Sequence, residues 1–327
     1  MMDKMGGEKA FDNALRPNSL NEYIGQTKLK ANLADMIQSS RIREAAVDHV
    51  LLSGPPGLGK TSIAAVIAYE MKTKLHLLTA PALSGDKGLS VLAATFSQVE
   101  EGDVVFIDEI HRLSKKLEES LYMTMEDNQF PFVSGKGKNA SLKHFPVAKH
   151  TLVGATTLAH GLTPALRDRF GFHAKLDFYE TAELQQIIQR SAKILNVHLD
   201  KAASLEVAKR SRGTPRIANQ LTKRLRDYSL SRSKDLTAPV VKQALTEMGV
   251  DDIGLNDLDR KVMEIILSKF DGGPVGVNTL AAAVGEAEQT IVDIVEPYLI
   301  RNGFLDRSPR GRVLTPRGAK HLAVTTH

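Results

Sequence analysis

The chain of 327 residues contains no cysteine. That absence excludes disulfides, thiolate zinc sites, iron–sulfur clusters and cysteine nucleophiles, and it fits a reducing compartment, so a cytoplasmic location is expected. Long apolar runs are missing as well. No stretch approaches the ~20 residues a membrane span needs, and the segment from Met1 to Leu20 mixes Asp, Lys, Glu, Asn and Arg without an apolar signal core. Neither export nor membrane insertion is expected. Internal repeats and low-complexity tracts are also absent. What is present is ordinary for a soluble globular protein: 42% hydrophobic and 25% charged residues, with 24 Gly and 13 Pro. At roughly 150 residues per domain the length predicts about two domains, or three if they are small.

The formal charge of +5 is concentrated at one end. Between Arg301 and His327 six cations (Arg301, Arg307, Arg310, Arg312, Arg317, Lys320) face one anion, Asp306, so the rest of the chain is electrically balanced. A basic terminus is either a solvated surface or the footprint of an anionic partner.

Three short apolar runs read as buried parallel strands. Val50-Leu51-Leu52 precedes a glycine-rich turn and an alanine-rich helix over Ser62 to Met71. Val104-Val105-Phe106-Ile107 ends in two carboxylates, and Thr151 to Ala155 ends in two threonines. Past about residue 178 the strands stop. Leu184, Ile187, Ile188 and Leu195, then Ile217, Leu221 and Leu225, follow helical spacing. Beyond Gly249 to Asn256 the pattern predicts helices over Leu258 to Phe270, Asn278 to Val284 and Glu288 to Ile300. Two β segments follow, near Phe304-Leu305 and Val313-Leu314, joined by Ser308-Pro309-Arg310-Gly311. This is a winged-helix order, in which the third helix commonly enters a DNA groove and the wing grips the backbone, although winged helices also mediate protein contacts; Arg307, Arg310 and Arg312 fall on or beside the wing and favour DNA. The expected organisation is an α/β P-loop domain over 1–178, a small all-α lid over 179–252 and a winged-helix domain over 253–327.

Gly54 to Thr61 spells GPPGLGKT between a predicted strand and a predicted helix, the context a P-loop requires. Glycines let successive N–H groups converge on phosphate oxygens at the helix start. Lys60 supplies a cation to the β- and γ-phosphates and Thr61 a hydroxyl for Mg²⁺. Asp108 would hold the metal from the carboxyl edge of the sheet, and Glu109 would orient the attacking water. For Thr156 and Thr157 two readings stay open: contact with the γ-phosphate or water, or a cap for the turn that follows. Of Arg167 and Arg169, either is surface or a stabiliser of charge on the transferring phosphoryl group. Gly213-Thr214-Pro215 starts a helix with Arg216 in its first turn, where a cation opposes the helix dipole and an outside anion is the natural partner.

GPPGLGKT, VVFIDEIHRL, LVGATT, LRDRFG, RSRGTPRIAN and GFLDRSPRGR, with LRPNSLNEYIGQ near the start, closely resemble the RuvB family of bacterial Holliday-junction branch-migration motors, members of the AAA+ class. The likeness runs from about residue 15 to about 320. It implies that Leu15, Arg16 and Tyr179 line the nucleotide pocket, with Gly57, Lys60, Thr61 and Ser62 at the phosphates and Glu126, Asp127 and Asn128 also at the nucleotide. It makes Asp108 and Glu109 the Walker B pair, Thr156 the first sensor, Arg169 the finger that reaches a neighbouring subunit's ATP and Arg216 the second sensor. Arg307 and Arg312 match DNA-contacting positions, with Arg310 between them at the tip. The implied cofactors are ATP and Mg²⁺. The implied assembly is a homohexamer on duplex DNA, loaded at the four-way junction by RuvA, with the resolvase RuvC a further partner. Clamp loaders and replication initiators share the motifs down to Arg216, and the carboxyl-terminal module distinguishes them. A nucleotide-sensing regulator without hydrolysis is disfavoured by Glu109. Two departures from the family pattern stand out: Leu158 follows GATT where arginine is usual, and Phe130 to His150 is unusually polar for a partner-docking hairpin. Phe132, Val133, Leu142, Phe145 and Val147 remain as apolar candidates for that docking.

Overall fold

The computed structural model describes residues 14–85, 87–134, 141–158 and 161–325, except for the side chains at 133, 134, 142, 324 and 325. Among these residues no helix is long and apolar enough to cross a membrane. They fall into two compact units: one comprises the chain to Leu195 with Gly213–Asn219, the other Asn196–Arg212 with the chain from Gln220.

The first unit is built on a five-stranded parallel sheet. In chain order its elements are α1 (Thr27–Ile42), β1 (Val50–Ser53), α2 (Lys60–Met71), β2 (Leu75–Thr79), α3 (Gly88–Phe96), β3 (Val104–Asp108) and α4 (Lys115–Asp127). A hairpin of β4 (Gln129–Ser134) and β5 (Ser141–Pro146) follows, then β6 (Thr151–Thr156), the short α5 (Pro164–Arg167), β7 (Phe172–Lys175) and α6 (Thr181–Ile194). The sheet order is β2-β3-β6-β1-β7. The strands foreseen as apolar runs, β1, β3 and β6, fill the three inner places. Buried on both faces, they must be apolar at consecutive positions. Register aligns their carboxyl ends: Ser53 pairs with Thr156 and Thr79 with Asp108. Phosphate, carboxylate and threonine candidates therefore share one edge of the sheet. Beneath that edge Leu51, Phe96, Ile107, Ile110, Leu152 and Phe170 belong to one continuous core.

The hairpin is tied to this core by Phe130, which is fully buried and stacks 5.5 Å from Phe145; Phe132 also packs on Phe145, at 5.8 Å. Val147 is buried at 5% exposure in the same core, so it is withdrawn from the docking candidates. The chain leaves β5 there and turns inward. Residues 135–140 and the side chains of Val133 and Leu142 lie outside the described residues.

Helix α7 (Lys201–Lys209) begins the second unit, with the Asp200 side chain accepting the Ala203 N–H at 2.7 Å. Helix α8 (Pro215–Arg232) is next in sequence, followed by α9 (Ala238–Glu247), α10 (Asp257–Phe270) and α11 (Val277–Val284). The stretch from Glu288 to Arg301 is helical throughout: α12 (Glu288–Thr290), a wider π-type segment over Ile291–Val295, and α13 (Glu296–Arg301). The wing is β8 (Leu305–Ser308) paired antiparallel with β9 (Gly311–Leu314), and α14 (Pro316–Thr325) ends the described chain. Val262, Ile266, Leu280, Ile291, Leu299 and Leu314 pack in its core.

Ion pairs cross the expected boundary near residue 252. The Arg212 guanidinium pairs with Asp259, a residue of the α10 capping box, and donates to the Gly254 carbonyl at 2.6 Å. Arg210 is buried between Glu206 and Asp252.

Candidate nucleotide site and wing

Sequence places the P-loop by its glycines. Gly57 and Gly59 have φ of 83° and 101°, in the left-handed region that other residues avoid. Space adds a second restriction: a Cβ at Gly57 would lie 3.0 Å from Arg216 Cβ, and one at Gly59 would lie 2.7 Å from the Tyr23 hydroxyl. The loop opens directly into α2, the loop-to-helix-start arrangement that binds anions.

Lys60 lies at the mouth of this loop, its Nζ donating to the carbonyls of Gly54 at 2.7 Å and Pro55 at 3.0 Å. Burial lowers its pKa; the carboxylates of Glu109 and Asp108 oppose that shift, and the like charge of Arg216 adds to it. The Arg216 side chain is exposed, and its backbone N–H donates to the Gly57 carbonyl at 3.3 Å. The second-sensor candidate thus stands beside the loop despite lying 159 residues further along the chain. Tyr23 and Tyr179 brace the loop from behind. The Tyr179 hydroxyl meets the Leu58 carbonyl at 3.1 Å and the Tyr23 hydroxyl at 3.1 Å, and burial pushes its pKa up to about 12. Leu15 is buried and Arg16 exposed; Arg190 of α6 donates to their carbonyls at 2.8 and 3.1 Å and pairs with Glu22. Neither Tyr23 nor Arg190 stood out in the sequence. Their roles depend on backbone carbonyls that only folding brings near.

At the end of β3 the Asp108 carboxylate accepts the Glu109 N–H at 3.1 Å, and Glu109 itself adopts a left-handed φ of 52°. A non-glycine residue there is strained, and such strain concentrates at functional positions. Glu109 Oε2 accepts the Thr157 hydroxyl at 3.1 Å and lies 3.3 Å from His111 Nδ1, while the same nitrogen is 2.9 Å from Thr156 Oγ1. Thr156 also accepts the Leu158 N–H at 2.9 Å. The capping reading is therefore met by Thr156, while Thr157 bonds Glu109. Leu158 is 46% exposed. His111, which bridges the two strands, carried no sequence signal.

The donor set suits a magnesium nucleotide. A hydroxyl at Thr61 and a carboxylate at Asp108 would supply hard oxygen donors, the type that Mg²⁺ takes. Ser62 lies in the first turn of α2 behind Thr61.

Arg169 forms a separate cluster. Its Nη2 donates to the Tyr122 hydroxyl at 2.9 Å and pairs with Glu126 at 2.7 Å, and its guanidinium carbon sits 4.6 Å above the Tyr122 ring. Glu126 is thereby grouped with the arginine. Asp127 and the left-handed Asn128 end the same helix. The Arg167 side chain makes an exposed contact to Asp168 at 3.6 Å.

On the wing the three arginines differ in exposure. Arg307 and Arg310 are exposed, but Arg312 is 6% exposed and its guanidinium makes two bonds to Glu296, at 2.5 and 3.2 Å. Strand parity places Arg312 on the face of Leu314, toward the core, and Glu296 of α13 neutralises it there. Arg312 is thus turned into the fold, whereas Arg307 and Arg310 face solvent. Arg301 too is engaged internally, donating to the Arg212 carbonyl at 2.7 Å.

Comparison with known proteins agrees with this geometry. Family models match consecutive segments: the Holliday junction DNA helicase RuvB P-loop domain over residues 15–176, the RuvB AAA lid domain over 179–251 and the RuvB C-terminal winged helix domain over 252–323. The Holliday junction branch migration complex subunit RuvB of a Nocardioides strain is 50% identical over 323 residues, covering 98% of this chain and 88% of that protein. Its counterpart from a Mycobacterium strain is 49% identical over 322 residues, covering 98% and 89%. Among solved structures, the Thermotoga maritima RuvB Holliday junction branch migration motor superposes with a TM-score of 0.83 at 43% identity, covering 94% of this chain and 98% of that one. The Aeropyrum pernix ORC2 protein, at 14% identity and a TM-score of 0.51, shares the fold alone. A parallel-sheet P-loop domain, a lid and a winged helix carrying these motifs in this order place the chain in the RuvB family of AAA+ ATPases.

Proposed function

We propose that this chain is the ATP-driven motor subunit that branch-migrates Holliday junctions in the bacterial cytoplasm. It acts as a homohexameric ring on duplex DNA, with RuvA as the junction-binding partner and RuvC as a companion resolvase at the same junction. The working division is 1–178 for hydrolysis, 179–252 for sensing and 253–327 for DNA. Names of close relatives support the junction as substrate; the motifs support the chemistry.

Bound MgATP supplies the phosphoanhydride and neutralises charge on its own oxygens. Gly57, Lys60 and Ser62 hold the phosphates, Thr61 and Asp108 take the metal, and Leu15, Arg16 and Tyr179 enclose the remainder of the nucleotide. Glu109 orients and polarises the attacking water. Arg169 of one subunit, with Glu126, Asp127 and Asn128 beside it, faces the nucleotide of the next, where a guanidinium stabilises the spreading negative charge. Arg216 and Thr156 report the state of the γ-phosphate. Arg307 and Arg310 grip DNA phosphates, which positions the duplex without reading its sequence.

The observation that carries this reading is the set of bonds on Glu109, whose carboxylate is fixed by Thr157 and His111 beside the metal-binding Asp108. The test is a four-way-junction strand-exchange assay with ATP, with and without RuvA, run alongside Glu109→Gln. Wild type should resolve the junction into duplex arms. The variant should bind ATP with turnover and migration reduced at least ~10²-fold, the usual contribution of a positioned base. Appreciable steady-state hydrolysis by the variant would refute the role given to Glu109.

A further inference from the structure

Arg169 leaves a chain turn directly after the four-residue α5, a weak support for a side chain that must meet another subunit's nucleotide at a defined distance. An unsupported arginine loses rotamer freedom when it is fixed. The structure supplies the missing support from a different element. Tyr122 and Glu126 are four residues apart on α4, hence on one helix face. Between them they engage Arg169 in three ways: ring stacking, a hydroxyl acceptor and a carboxylate. Both protons of Nη2 are used in this way, whereas Nη1 has no protein partner among the described residues and Nε is buried without one. One edge of the guanidinium is anchored, and hydrogen-bonding capacity toward an outside group remains at Nη1.

We propose that Tyr122 is a positioning residue for the arginine finger, holding the Arg169 guanidinium pre-oriented so that its Nη1 N–H groups meet the phosphoryl oxygens bound by an adjacent subunit. Tyr122 touches no substrate and acts only through Arg169. Orientation fixed before the reaction removes an entropic cost from the transition state, so loss of Tyr122 lowers turnover more than nucleotide affinity. Glu126 balances the guanidinium charge from the same helix face. The inference rests on Arg169 acting across a subunit contact.

Mixed rings separate the two ideas. Full-length Lys60→Ala subunits donate a finger but no working pocket, and Arg169→Ala subunits donate a pocket but no finger. Mixed on duplex DNA they should hydrolyse ATP at their shared interfaces; no rescue by this mixture would sink the trans reading itself. Placing Tyr122→Phe in the Lys60→Ala finger donor removes one hydrogen bond and should lower the rescued kcat about fivefold with KM unchanged. Tyr122→Leu, which also removes the ring, should lower it further, to roughly thirtyfold. The same substitutions placed in the Arg169→Ala pocket donor should leave the rescue intact. If both arms fall together, Tyr122 merely maintains α4; if neither falls while the parent mixture works, the finger needs no such support. Either result overturns the proposal.

Discussion

Arg169 and Arg312 belong to different compact units and have opposite fates. The first is stacked on Tyr122 and paired with Glu126, yet its side chain remains 36% exposed; the second is paired with Glu296 and only 7% of its side chain reaches solvent. Both are arginines with one carboxylate partner. What separates them is the surface beneath. The α4 face offers a half-buried tyrosine and a solvated glutamate, so the guanidinium keeps free donors. The wing places Arg312 beside Leu314 and over α13, where a buried carboxylate takes two of its N–H groups. An exposed pair contributes little to folding, whereas breaking a buried one leaves an uncompensated charge. The first arginine is therefore a tool and the second a fastener.

The comparison breaks if either arginine behaves like the other. Arg169→Ala should reduce DNA-stimulated ATP turnover by ~10³ or more, the effect of removing such a finger, while shifting unfolding free energy by at most about 1 kcal/mol. Parallel turnover and denaturation measurements check it; a large stability loss would make Arg169 a fastener too. Arg312→Ala should cost about 3–5 kcal/mol of stability in urea unfolding, because Glu296 is left buried and unpaired. Replacing both partners with apolar residues (Arg312→Met, Glu296→Leu) should recover most of it. Arg310→Ala, by contrast, should leave stability within about 0.5 kcal/mol and lower the slope of log affinity against log salt by about one contact's worth.

A smaller contrast runs across the sheet, from its carboxyl edge with the nucleotide residues to the opposite edge. There His49 precedes β1 and accepts the Leu152 N–H at 2.9 Å. Burial, aided by the neighbouring His150, pushes its pKa down to about 4. The unfolded chain titrates near 6.5, so between those values the unfolded state binds the proton more readily. Stability should be constant above about pH 6.5 and decline by up to roughly 3 kcal/mol as pH falls toward 4. Urea midpoints between pH 7 and 4.5 test this, and His49→Asn, which keeps an acceptor for Leu152, should flatten the slope. An unchanged slope in the variant would assign the acid sensitivity elsewhere.

How much was legible follows from how local each cause is. Strands β1, β3 and β6 announce themselves because both faces are covered. The edge strands β2, LHLLT, and β7, FHAK, are half exposed and carry mixed residues, so no apolar run marks them. The P-loop and the Asp108–Glu109 pair were legible because glycine dihedrals and a strand end are short-range matters. The partners of Arg169 lie 47 and 43 residues upstream on another helix, and no spacing rule connects them. The wing's turn was visible in Ser308-Pro309-Arg310-Gly311, but the inward side of β9 was not, since parity only acquires meaning once a core lies against one face.

By itself the sequence determined the chemistry available: a glycine loop ending in Lys60 and Thr61, two acids after an apolar strand, and a basic terminal module. Tertiary structure alone decided which cations are free to use that chemistry. Charge is a property of a side chain, but whether it meets solvent, an aromatic face or a buried carboxylate depends on neighbours that chain order does not supply. The same residue type thus works outward at Arg169 and inward at Arg312.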